Sequence, residues 1–205
     1  YNTTLFFGLR QARFFLYSVY LTAFILMNCA YTGHGFAWLW SESVTWQRWG
    51  IAIHIVMYSI TGLIFATSFL ETRHRFPRAH RFVWALIAIF AGATVLSLIL
   101  QSQSGIVAVS FVSTCIFAVV MFALGVMGTA AGQVAARYFL LAAITAIIGT
   151  VLSTLSTWGL IPFHDWTFRA VEFGLLTDAT LLALALAYQL RTSQRARRRA
   201  DELAR

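Results

Sequence analysis

Lysine is absent from the 205 residues, so all fifteen basic residues are arginines. That removes every chemistry needing a lysine amine, a retinal Schiff base among them. Charge of either sign is scarce. Asp, Glu and Arg make up 11% of the chain, against about 25% in ordinary soluble domains. Too little polar surface remains to wrap a water-facing core. Proline occurs twice, at Pro77 and Pro162, both between apolar runs, so the broken spans typical of transporters are not expected. Cys29 and Cys115 lie inside apolar runs with no metal-ligand spacing and read as buried packing thiols. There is no H-E-x-x-H, G-x-S-x-G, C-x-x-C or glycine-rich phosphate loop. The nearest approach to an activated serine is Ser104-Gly105, placed in a loop at the start of an apolar run. No catalytic residue and no cofactor are expected, and the chain does not read as an enzyme.

What is present is apolar length. Hydrophobic residues reach 60%, and a membrane-crossing helix needs about 20 of them in sequence. Residues 14–31, 49–70, 82–100, 106–127, 138–158 and 170–190 qualify. Residues 1–9 read as the last half of a further span, which implies a piece of a longer protein. The runs lack the period-two alternation of a membrane barrel, and only helices satisfy their own backbone in lipid. The expected fold is all-α: a polytopic membrane helix bundle over residues 1–190, with seven spans, the first truncated.

Arginine supplies the orientation. Arg10, Arg13, Arg73, Arg75, Arg78, Arg81 and Arg137 fall in odd-numbered gaps, and Arg191, Arg195, Arg197, Arg198, Arg199 and Arg205 follow the last span. Only Arg48 and Arg169 fall on the other side. The positive-inside rule then places the odd gaps and the C-terminus in the cytoplasm of a bacterial inner membrane. The net charge of +8 is thus a topology signal, and no nucleic-acid partner is expected. Six of the seven tryptophans sit at the opposite boundary, as an interfacial belt or a docking surface within residues 32–47. Residues 191–205 continue the last span without a breaker and read as a basic connector helix. In it Arg195, Arg197, Arg198 and Arg199 meet anionic lipid. Small residues at packing distance (Gly125, Gly128 and Gly132; Ala142, Ala146 and Thr150) allow helices to approach closely.

Ionisable groups at membrane depth are functional candidates. Asp178 lies near the middle of the last span and is expected to face the bundle interior. It serves either as a switch or ligand contact, or as a structural acid bonding a neighbouring helix. Glu172, six residues earlier, lies about 120° away around the helix and reaches the headgroups. His34, His54 and His164 fall on the tryptophan-rich side, where a pH-sensing or metal site is one reading. No pair stands four apart on one helix, and no metal is expected. Asn28 and His54 complete the interior or ligand-facing candidates. His74 and His80, in the basic gap, read as solvated.

Three stretches carry a family likeness: LYSVYLTAFILMNCAYTGHGFAWLW from Leu16, SFLETRHRFPRAHR from Ser68, and WGLIPFHDWTFRAVEFGLLTDATLLALALAYQL from Trp158. In this order they resemble the bacterial seven-transmembrane receptors with diverse intracellular signalling modules. The family more often has Glu where Asp178 stands, and Ala-Asp-Arg where this chain has Ala187-Tyr188-Gln189. The resemblance implies a receptor bundle between an N-terminal periplasmic sensor domain and a C-terminal effector of histidine-kinase or diguanylate-cyclase type. Its expected partners are those two domains, membrane lipids and a second copy in a homodimer. The alternative is a proton-linked or small-solute transporter using Asp178.

Overall fold

A computed structural model describes the backbone of residues 12–203 and the side chains of residues 13–188. The predicted partial span at residues 1–9 lies outside them. Among the described residues all regular structure is helical: α1 Ala12–Tyr31, α2 His34–Trp38, α3 Val44–Phe69, α4 Thr72–Arg75, α5 Pro77–Ile99, α6 Gln103–Ala130, α7 Val134–Thr157, α8 Asp165–Phe168 and α9 Ala170–Leu203. Six of these, α1, α3, α5, α6, α7 and α9, are long and apolar enough to cross a membrane, and they coincide with the six predicted runs. The chain is a multi-pass membrane protein.

Most of the helices begin two to five residues before the apolar runs, because polar residues cap and extend a helix without adding hydropathy. The predicted loop at residues 32–47 instead contains α2 and the first turn of α3. There the Ser43 hydroxyl accepts the Trp46 N–H at 3.2 Å. Ser104 and Gly105 likewise belong to the first turn of α6, where the Gly105 N–H donates to Ser102 Oγ at 3.2 Å. Pro77 opens α5, a position where its missing N–H costs nothing. The cysteines do not pack as expected: Cys115 is exposed and Cys29 half-buried. In lipid an outward thiol carries little penalty, so helix position decides.

Packing divides the chain into two compact units, Tyr1–Val120 and Met121–Arg205. In the first, α3 is the central helix, 61% buried over its apolar window, against 28% for α1 and 22% for α5. Rings fill its contact with α1. Tyr17 meets Phe65 at 5.4 Å, Tyr20 stacks on Tyr58 at 5.3 Å, and the two hydroxyls bond at 3.0 Å. Gly62 leaves the space that Phe117 and Tyr20 occupy; a methyl group there would lie 2.6 Å from the Phe117 ring. Outward residues such as Ile89, Ile99, Phe111 and Val119 are exposed, as a lipid-facing surface requires.

The second unit is built on an antiparallel pair, α7 and α9. Gly149 and Gly174 let the two backbones touch. Leu175, Asp178, Leu182 and Ala185, spaced three and four apart, form the buried stripe of α9. Tyr138 and Tyr188 meet at 6.5 Å toward the far end.

Candidate functional site

The sequence candidates fall into separate places, and the structure does not gather them into one centre. His54, Asn28 and His34 belong to the first unit; Asp178, Glu172 and His164 belong to the second.

His54 is enclosed at the tryptophan-rich end of α3. It is buried, and its Nδ1–H donates to the Gly50 carbonyl one turn earlier at 2.6 Å. That bond sets Nε2 as the remaining acceptor of the neutral ring. Trp40 stacks on the imidazole at 5.9 Å and Trp46 meets it edge-on, also at 5.9 Å. Trp40 is held in turn: its Nε1–H donates to Gln47 Oε1 at 2.9 Å, and its ring covers Gly35, where any side chain would collide with it. Trp46 rests its indole on Gly50. The two indoles and the Gly50 carbonyl thus fix the imidazole's position. Sequence reading found His54 but not its stacking partner, because Trp40 reaches it only through the α2 turn.

His34 is exposed, bonded to Thr32 Oγ1 at 2.8 Å and edge-on to Trp38. Asn28 is half-buried, and its backbone carbonyl accepts both the N–H and the hydroxyl of Thr32. His164 is exposed at the start of α8, where its N–H donates to Thr167 Oγ1 at 3.0 Å. Among the described residues no three His, Cys, Asp or Glu side chains converge on a metal-sized space.

In the second unit Asp178 is 3% exposed and Glu172 half-buried. Asp178 occupies a position in the stripe that packs on α7, between Leu175 and Leu182. The turn leading into α9 is fastened by Ser153 of α7. Its hydroxyl donates to the Phe168 carbonyl at 2.8 Å and accepts the Val171 N–H at 2.9 Å. The Ser156 and Thr167 hydroxyls add a bond at 3.1 Å, and Trp166 stacks on Phe173 at 5.4 Å. This connection ties the end of α7 to the start of α9.

The arginine-rich end of the first unit holds a network that sequence reading did not find. Glu71 lies between α3 and α4 with φ of 52°, a left-handed conformation uncommon for a residue with a side chain. Its carboxylate accepts from Arg13 of α1 and lies 3.6 Å from Arg75. His80 is not simply solvated: its Nδ1 bonds at 3.0 Å to the hydroxyl of Thr72, which is fully buried.

The Arg13 hydrogen bond holds the Glu71 carboxyl below the usual glutamate range; partial burial opposes this, and the charges of Arg13 and Arg75 reinforce it. A carboxylate with a depressed pKa stabilises the fold in full above its ordinary value, and that contribution is lost as pH falls through the lowered one. The pair is part-exposed, so its worth is at most about 1 kcal/mol. Glu71→Gln is expected to flatten the acid side of a thermal-unfolding profile in detergent relative to wild type. A variant profile as steep as wild type would assign the acid sensitivity elsewhere.

Comparison with known proteins gives one match: a family model described as 7TM diverse intracellular signalling covers residues 1–189. No curated protein and no solved structure matches the chain.

Proposed function

Since the chain belongs to the 7TM diverse intracellular signalling family, we propose that this membrane signalling bundle relays an extracytoplasmic ligand or sensor-domain event through α9 to a cytoplasmic effector. The effector is of histidine-kinase or diguanylate-cyclase type, and the bundle itself performs no catalysis.

One observation carries the reading. Helix α9 runs unbroken from Ala170 to Leu203, 34 residues. At 1.5 Å per residue that is about 51 Å, well beyond the roughly 30 Å hydrocarbon thickness of a bilayer. The helix therefore joins the Ser153-fastened turn at one membrane boundary to a polar segment beyond the other. Beyond Leu190 the sequence turns polar and basic, and no proline or glycine interrupts the helix as far as Leu203. A rotation of α9 against α7 thus reaches the tail with little loss of phase. Two such tails in a homodimer pass the rotation to paired effectors.

Asp178 supports two-state behaviour. A carboxyl in the α7-facing stripe must keep a polar partner in lipid, so the stripe has few acceptable rotational settings. In this reading Asp178 is the switch contact, and Glu172, His164, His54, His34 and Asn28 serve the extracytoplasmic side. The inner-membrane location and the cytoplasmic C-terminus rest on the arginine asymmetry.

The orientation is tested by cysteine labelling. With Cys29 and Cys115 replaced by serine, Ala200→Cys in intact spheroplasts should resist a membrane-impermeant maleimide and react only after permeabilisation. Labelling from outside would place the tail on the wrong side for an effector and end the relay reading.

A further inference from the structure

At the arginine-rich end of the first unit, α1, α3 and α5 leave a cleft of about 510 Å³ beneath α4. Its chemistry is divided. Leu16 and Ile64 form a half-buried apolar wall, and the exposed Trp84 stands at its edge. The other wall carries Arg13, Arg73, His74 and Ser68. Glu71 also lines the cleft, but Arg13 and Arg75 hold its carboxylate. Two guanidinium groups, those of Arg13 and Arg73, thus line the cleft with one carboxylate, and the surplus is positive. The Arg73 and His74 side chains are exposed and make no hydrogen bond or ion pair with other described residues. The Ser68 hydroxyl is similarly unengaged. These donors point to a ligand rather than to internal structure.

We propose that this cleft binds the phosphodiester of an anionic lipid headgroup, with the acyl chain along Leu16 and Ile64 and the phosphate against Arg73, His74 and Ser68. Four features match that ligand. The cleft lies at the ends of membrane-crossing helices, at headgroup depth. A tryptophan marks the interface beside it. An apolar wall adjoins the basic one, which a free phosphate would not use. The ionised Glu71 limits the surplus charge, which suits a singly charged diester better than a dianionic monoester.

The test uses the whole chain in detergent micelles, reconstituted with phosphatidylglycerol or with phosphatidylcholine, and reads retained lipid by native mass spectrometry. Wild type should retain phosphatidylglycerol selectively. The double variant Arg73→Gln/His74→Gln alters exposed side chains outside the packed core, and it should lower that retention about tenfold while phosphatidylcholine is unaffected. The control variant Arg137→Gln, an exposed arginine of α7 in the second unit, should retain the lipid as wild type does. Undiminished retention in the cleft variant, or an equal loss in the control variant, would overturn the proposal. Displacement of the lipid by millimolar inorganic phosphate would overturn the lipid assignment and leave a soluble phosphate as the ligand.

Discussion

Gly149→Ala is expected to destabilise the protein by about 1–3 kcal/mol, the usual cost of forcing an extra methyl into a packed contact. The added carbon would lie 2.5 Å from the Ala170 carbonyl oxygen and 3.2 Å from the Gly174 Cα. Both are backbone atoms, so no side chain can turn aside, and α7 and α9 must separate. Gly174→Ala should act alike, since its methyl would lie 2.7 Å from the Thr145 carbonyl oxygen. Because the two glycines touch, the double variant should lose less than the sum of the two singles. Gly92→Ala on α5 provides the opposite case: nothing lies within 4 Å of its added carbon. There the gain in helix propensity, about 0.5–1 kcal/mol, should appear as a higher unfolding temperature. Thermal unfolding in detergent reads all four variants. Equal midpoints for Gly149→Ala and Gly92→Ala would show that α7 and α9 are not in backbone contact.

A one-residue insertion after Leu190 should change signalling output in the parent protein by about tenfold or more, the scale of a 1–3 kcal/mol coupling. Each inserted residue turns the downstream helix by about 100°. One residue therefore brings a different face of the tail to any partner. Seven residues return the phase to within about 20°, and four leave about 40°. Output across insertions of one, two, three, four and seven residues should follow helical phase, with near-normal behaviour at seven. Output that falls steadily with inserted length would favour a tether over a rotating rod. Output that ignores insertion would remove α9 as the conduit.

Much of the framework was legible because hydropathy is a property of single residues in a row. The six apolar runs, the absence of helix breakers and the continuation of the last span past Leu190 all reappear in the helices. The expectation that Asp178 points inward also agrees with its burial, since a carboxyl at that depth has no route to water. Other features belong to pairs of distant residues and left no local trace. Glu71 reads as one more charge in a basic gap until α1 brings Arg13 beside it. Gly149 and Gly174 do not share a small-residue motif; they lie on different helices, and their meeting depends on the register of α7 against α9. Ala146, which does belong to the motif seen in sequence, lies beside Gly174 in the same contact.

By itself, the amino-acid order determined that this chain lives in lipid, which segments cross it, and that the final helix continues into a polar tail. Those conclusions follow from transfer free energies summed along the chain, and no fold is needed to add them. Only the tertiary structure decided which helices touch, that His54 is boxed by Trp40 and Trp46, and that a basic cleft opens beside Glu71. In a bilayer, hydrophobicity cannot choose among helix pairings, since lipid tails solvate every apolar face equally well. The choice falls to shape fit and a few polar contacts, and these exist only once the helices have met.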